Sequence, residues 1–318
     1  MNFPATVALS AALACTTMQA SAETLPSSRR SITYHSVDIH GLTIFYREAG
    51  PADAPNVILL HGFPSSSRMW EPLLPLLADK YHLIAPDYPG FGNSSAPTPS
   101  DFNYTFDNIA SVIGELTNKL GLTSYVLLMQ DYGGPVGFRM VLAHPERVRG
   151  IIVQNAVSHE QGLGPLWAAR RKYWADPTHE LEALKANFTS LEATRQRHLG
   201  TSPHPERYDP DTWTDEYAFL TRPGQPEIQT TLFLDYRTNV ASYPKWQEWL
   251  RRMRPPTLVV WGKYDPSFAV AGAAAYRDDV PDAEVHLLEA GHFALDEATD
   301  EIASLLRNFL ARIDGRTR

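Results

Sequence analysis

The chain has 318 residues, 43% of them hydrophobic and 20% charged, with a formal net charge of -8. This is enough chain for one large globular domain carrying an insertion. The mildly acidic balance, with no basic run or basic-aromatic stripe, argues against a nucleic-acid partner and against a highly anionic surface as target. The one cysteine, Cys15, excludes an internal disulfide and a cysteine-built metal site.

Residues 1–22 read as a targeting segment. An Ala-rich apolar run from Ala5 to Ala14 precedes Ala20-Ser21-Ala22, an A-x-A-type cleavage site. That implies export to a periplasmic or secreted location. Residues 2–10 carry no Lys or Arg, which keeps a cytoplasmic protein with an N-terminal extension as the alternative. The run is too short to span a bilayer, and no later segment is long and apolar enough.

From Ser31 onward, strands and helices alternate. Thr33–Val37 and Leu42–Glu48 flank a His40-Gly41 turn and predict a strand pair. Asn56–Leu60, Tyr81–Pro86 and Ser124–Met129 are short apolar runs of the buried-strand type. Phe106–Leu120 has Ile109, Val112, Ile113, Leu116 and Leu120 on one helical face. Gly133–His144 reads as a helix, Val148–Gln154 as a strand, and Thr257–Trp261 and Glu284–Leu288 as two more. Ala298–Ile313 is a closing amphipathic helix. The alternation predicts a mostly parallel sheet covered on both faces. Between 156 and 254 the rhythm breaks into helices and loops holding five of the seven tryptophans: Trp167, Trp174, Trp213, Trp246 and Trp249. This stretch is expected to form a helical cap over the carboxyl edge of the sheet, where open α/β sheets bind ligands. The expected layout is a core of residues 31–155 and 255–318 interrupted by a cap of residues 156–254.

Four motifs lie at predicted strand ends. Met129-Gln130-Asp131-Tyr132-Gly133-Gly134 stands between a strand and a helix, the setting of a nucleophile elbow, but Asp131 occupies the place of serine. Met129 also departs from the usual small residue two places earlier. As a lone motif, Asp131 reads equally well as a helix N-cap. Gly92-Asn93-Ser94-Ser95-Ala96 imitates the elbow pattern, but it lies in a loop away from any strand end and is rejected. His61-Gly62-Phe63-Pro64 follows an early strand. Its Phe63 N–H, together with that of Tyr132, would make a two-donor oxyanion hole. His61 itself is expected to be structural support for that loop. Asp265, in Trp261-Gly262-Lys263-Tyr264-Asp265-Pro266, and His292, in Ala290-Gly291-His292-Phe293, complete the order of elbow residue, acid and histidine.

With these motifs, residues 31–312 resemble the branch of the α/β-hydrolase superfamily that contains epoxide hydrolases and haloalkane dehalogenases. The resemblance implies an α/β-hydrolase fold with a mostly parallel central sheet flanked by helices and a helical cap. It implies Asp131 as nucleophile, His292 as general base and Asp265 as the acid that orients it, with no cofactor and no metal. A carboxylate is already ionised near neutral pH and can displace a leaving group at an sp3 carbon. The expected reaction is therefore hydrolysis at such a carbon through an aspartyl ester. Epoxide opening is favoured, because Tyr236-Arg237-Thr238-Asn239 resembles the segment that carries an epoxide-oxygen donor. Tyr173 is the second candidate donor, ahead of Tyr208, Tyr217 and Tyr243. Dehalogenation is the alternative, weakened because neither Phe63 nor Tyr132 offers a side-chain N–H, although Trp167 or Trp174 could. A non-catalytic ligand-binding protein on this fold is a further alternative. The aromatic cap suggests a small apolar or aromatic substrate.

Overall fold

The computed structural model describes residues 32–315 and Met1, so the leader assigned to residues 1–22 falls outside the described residues apart from Met1. The strands are β1 (Thr33–Ile39), β2 (Leu42–Ala49), β3 (Asn56–Leu60), β4 (His82–Pro86), β5 (Tyr125–Gln130), β6 (Val148–Gln154), β7 (Thr257–Gly262) and β8 (Glu284–Leu288). They form an 8-stranded sheet in the order β1-β2-β4-β3-β5-β6-β7-β8. β2 pairs antiparallel with β1 and β4, and the remaining pairings are parallel.

β5 and β7 are buried along their whole length, which is why they read as continuous apolar runs rather than as alternating patterns. Successive side chains still go to opposite layers. Tyr125, Leu127 and Met129 join one core, and Val126 and Leu128 join the other. The helices α1 (Leu74–Leu77) and α11 (Leu295–Gly315) cover the second face. Those on the first are α2 (Phe106–Lys119), α3 (Gly133–Ala143) and α10 (Ala271–Asp279). α2 starts where Thr105 accepts from the Asn108 N–H, and it buries Ile109, Val112, Ile113 and Leu116. α10 was not anticipated, because Ala271-Gly272-Ala273-Ala274-Ala275 has too little side-chain contrast to show a helical period. The last helix begins at Leu295 rather than Ala298, where φ is -125° and the helix is kinked.

Six helices intervene between β6 and β7: α4 (Trp167–Ala175), α5 (Pro177–Phe188), α6 (Leu191–Leu199), α7 (Pro210–Leu220), α8 (Gln225–Asp235) and α9 (Arg237–Met253). Several begin on local signals: Asp176 and Pro177, Ser190, and Asp209 with Pro210, each cap side chain accepting from a first-turn N–H. α9 docks on α3. Phe138 stacks on Trp246 at 4.9 Å, and the Arg139 guanidinium donates to Asn239 Oδ1 at 2.8 Å. On the other side of the insertion, His198 of α6 lies buried between two carboxylates. Its Nδ1 is 2.7 Å from Asp296 of α11, and its Nε2 is 2.9 Å from Glu216 of α7. Burial pulls its pKa down, but Glu216 and Asp296 outweigh that and hold it up at about 10. The imidazolium therefore ties two inserted helices to the core.

Replacing His198 by Gln should cost on the order of 3 kcal/mol by leaving the buried Glu216 and the half-buried Asp296 carboxylates uncompensated. Because the folded pKa is raised, the stabilisation is complete below the unfolded value of 6.5 and is lost as pH rises through about 10. Thermal melts of wild type and His198→Gln should therefore converge as pH climbs from 6.5 towards 10. A gap independent of pH would contradict an imidazolium at this position.

Candidate active site

The carboxyl ends of β3, β5, β6, β7 and β8 converge on one point. Asp131 follows β5 directly and is held at φ 46°, a left-handed conformation unusual for a residue with a side chain. Its neighbours make room for it. A Cβ on Gly62 would lie 2.4 Å from Asp131 Cβ, and one on Gly133 would lie 2.1 Å from the Leu60 carbonyl oxygen. Met129, the departure from the small-residue pattern, is accommodated by Gly137, whose absent Cβ would come within 2.2 Å of the Met129 sulfur.

Phe63 N–H donates to Asp131 Oδ1 at 2.8 Å, and the Tyr132 amide beside this carboxylate favours its charged form. Asp131 Oδ2 faces His292 Nε2 at 3.7 Å. His292 Nδ1 lies 2.7 Å from Asp265 Oδ2. Asp265 Oδ1 accepts from the N–H groups of Ser267 at 2.6 Å and Phe268 at 3.0 Å. Asp131, Asp265 and His292 are thus brought together, with the Phe63 and Tyr132 amides on the elbow carboxylate. Burial raises the Asp131 pKa, and His292 and the two amides oppose the shift. For His292 burial acts downward, yet the Asp265 carboxylate and then Asp131 bring the net shift upward.

Further polar residues complete the site, and the motifs did not announce them. Asn155, at φ 43° just past β6, accepts from the Gly262 N–H at 2.9 Å. Its Nδ2 donates to the Gly262 carbonyl at 3.1 Å and to Asp265 Oδ2 at 2.8 Å. Asp131 N–H in turn donates to the Asn155 carbonyl at 3.2 Å. Gln130 places its amide nitrogen 3.0 Å from His292 Nε2. A polar Gln154-Asn155 pair ending an apolar strand at the carboxyl edge was the available signal for Asn155. Gln130 had none beyond its place beside Asp131.

His61 stacks on Tyr88 at 4.0 Å, and its Nε2 accepts from the Tyr88 N–H at 3.3 Å. Burial lowers its pKa to about 4, so the ring is neutral. The elbow-like Gly92–Ala96 segment wraps Asp87, which accepts from Asn93 N–H at 2.8 Å, while Ser94 donates to the Asp87 carbonyl.

A small pocket of about 20 Å³ lies over Asp131, walled by Tyr132, Trp167, Arg170, Arg197 and Tyr236 among others. The hydroxyls of Tyr132 and Tyr236 are buried, and neither reaches a hydrogen-bond partner at normal distance and angle among the described residues. Burial, joined by the nearby Tyr243 hydroxyl, raises the Tyr236 pKa well above the ordinary tyrosine value. Tyr173 does not share this pocket. It lines an adjoining cavity of about 430 Å³, and its hydroxyl donates to the Thr230 carbonyl at 3.3 Å. Tyr208 bonds Glu297, away from the pocket lining. The indole N–H groups of Trp167 and Trp174 donate to the carbonyls of Ser267 and Phe233, each at 2.9 Å. Among the described residues no group of three or more His, Cys, Asp or Glu is arranged to hold a metal ion.

Residues 55–299 match the family described as alpha/beta hydrolase fold. The chain belongs to the α/β-hydrolase family. It is 40% identical over 284 residues to an uncharacterized hydrolase of Saccharomyces cerevisiae, covering 87% of this chain and 97% of that one. Among solved structures it is similar to haloalkane dehalogenase DbeA from Bradyrhizobium elkani, with 24% identity, a TM-score of 0.76, and 90% and 100% of the two chains covered. It is also similar to the epoxide hydrolase CorEH, with 19% identity, a TM-score of 0.73, and 89% and 100% covered. At these identities the two structures establish the fold.

Asn155→Ala in this α/β hydrolase should lower stability by about 1–3 kcal/mol, since it strips the buried Gly262 amide and carbonyl of their partner. Denaturant melts measure the loss. A stability unchanged from wild type would mean that water replaces the bridge in full.

Proposed function

We propose that this hydrolase acts at an electrophilic sp3 carbon through an ester on Asp131, and that its reaction is the opening of an epoxide to a vicinal diol. The observation that carries the proposal is the unequal setting of the two Asp131 oxygens. Oδ1 is occupied by the Phe63 amide, whereas Oδ2 faces His292 across 3.7 Å and is the oxygen able to attack. Attack of Oδ2 on a ring carbon forms a C–O bond, and the epoxide C–O bond breaks. The ring oxygen takes a proton from a donor above the carboxylate. Tyr236, buried in the pocket wall with its proton firmly held, is the candidate donor.

In the second step, water attacks Cγ of Asp131 while His292 Nε2 takes its proton. Asp265 at Nδ1 selects the tautomer with Nε2 unprotonated, its lone pair met by the Gln130 amide until water arrives, and stabilises the imidazolium that forms. Oδ1 becomes the oxyanion, held by the Phe63 amide, with the Tyr132 amide beside the carboxylate as the second donor of an oxyanion hole. The tetrahedral intermediate then expels the diol oxygen, which takes the proton back from His292, and the remaining proton of the added water returns to the Tyr236 phenolate, regenerating the carboxylate. A carboxylate attacking a carboxylic ester would instead give an anhydride, which makes an esterase a poor fit to an elbow aspartate. Dehalogenation shares every step but the leaving group. The indole N–H groups of Trp167 and Trp174 are already committed to backbone carbonyls, which favours the epoxide.

His292→Gln should stop the reaction after alkylation. Incubated with styrene oxide, this variant should carry one substrate mass on the peptide containing Asp131, and Asp131→Ala should carry none. An unmodified Asp131 with neutral epoxides and alkyl bromides alike would overturn the aspartyl-ester reading. Tyr236→Phe should slow diol formation by about 10²-fold or more, the usual scale of a lost general acid, while leaving bromide release from alkyl bromides nearly unchanged. Equal losses on both substrate classes would assign Tyr236 to packing.

A further inference from the structure

The cap brings two cations to the substrate pocket. Arg170 of α4 and Arg197 of α6 both line the small pocket over Asp131 and also the adjoining cavity of about 430 Å³, so they stand where the two spaces meet. Arg170 lies over the Trp167 ring at 4.3 Å and the Phe233 ring at 5.3 Å. Among the described residues it forms no ion pair and no side-chain hydrogen bond. Arg197 lies over the Phe63 ring at 4.8 Å. Burial depresses both guanidinium pKa values. The two repel each other, with Arg170 lowering Arg197, whose value falls to about 10, and a guanidinium keeps its charge at neutral pH.

Two guanidinium groups lining one partly buried pocket are costly unless negative charge joins them there. Glu216 and Asp131 attract Arg197, and Asp131 and Asp265 attract Arg170, but among the described residues no carboxylate comes within ion-pair distance of Arg170. The planar donor fork of arginine matches a carboxylate in particular. A carboxylate on the substrate would otherwise be repelled by Asp131, and two cations beside the elbow remove that barrier to attack.

We propose that Arg170 and Arg197 form an anion subsite, and that the substrate carries a carboxylate next to the carbon that Asp131 attacks. The proposal rests on the aspartyl-ester reading and narrows its substrate class to short epoxy-carboxylates or 2-substituted carboxylates. The apolar walls of the larger cavity, such as Leu166, Ala169 and Leu184, suit a hydrocarbon tail. The same cations could instead cradle a departing halide, and the two sources of negative charge are separable by experiment.

The test is calorimetric titration of the wild-type protein with unreactive butanoate, butanamide and sodium bromide, repeated on Arg170→Gln, Arg170→Lys and Arg197→Gln. Butanoate should bind at least about tenfold more tightly than butanamide, the yield of one charge-assisted hydrogen bond. That preference should vanish in Arg170→Gln and Arg197→Gln, recover in part in Arg170→Lys, and leave butanamide binding unchanged throughout. Turnover should follow: 2,3-epoxybutanoate should exceed its amide in kcat/KM by a similar factor, with the excess lost in Arg170→Gln. Equal binding of acid and amide, or a preference that survives both Gln variants, would overturn the subsite. Bromide binding that depends on Arg170 without any preference for butanoate would overturn it in favour of a halide cradle. The His292→Gln mass measurement with neutral substrates is independent of these outcomes. Failure there removes the aspartyl ester, whereas failure of the butanoate preference removes only the anion subsite.

Discussion

Everything at the site depends on a strained backbone position at the end of β5. Asp131 sits at φ 46°, a conformation that a residue with a side chain adopts only when its surroundings impose it. Here the surroundings are the bare backbones of Gly62 and Gly133, pressed so close that neither could carry a methyl group without displacing its neighbour. The turn points the carboxylate away from the sheet and into the amides of Phe63 and Tyr132. The same crowding that strains the residue thus brings it to the Phe63 amide, and the sheet meets the cost through the continuous burial of β5 and β7.

Charge is distributed through the interior in a pattern that joins the inserted helices to the sheet layers. His198 is held positive by Glu216 and Asp296, while Arg170 and Arg197 face Asp131. α6 carries both Arg197 and His198, so the helix that places a cation at the pocket is the helix pinned to α11 by a buried ion pair. Loss of the pin would therefore be felt first as a misplaced guanidinium rather than as loss of the sheet.

The framework was legible because its signals are local. β5 and β7 are short apolar runs closed by loop residues and lead into the elbow and the acid, and the histidine follows β8. What could not be read was helical phase in the inserted segment. The sequence ranks Tyr236 ahead of Tyr173 only by resemblance of its segment, whereas in the fold Tyr236 packs at 4.6 Å from Trp167 in the pocket wall and Tyr173 turns its hydroxyl to the Thr230 carbonyl. Arg170 and Arg197 lie in sequence among exposed charged residues, with no apolar stripe to say which of them face inward, and α4 and α6 have only weak amphipathic character. Asn155 and Gln130 act through contacts made across the sheet, which no spacing along the chain encodes.

The fixed orientation of the elbow carboxylate has a consequence for the bookkeeping of atoms. Under the proposed chemistry, Oδ2 leaves with the product, and the solvent oxygen that hydrolyses the ester remains on Cγ. Because Oδ1 is anchored by the Phe63 amide at 2.8 Å, the carboxylate cannot turn over between cycles, and the newcomer inherits the attacking position. Each product molecule would then carry the oxygen admitted during the preceding turnover, so the protein would act as a one-cycle delay line between solvent and product.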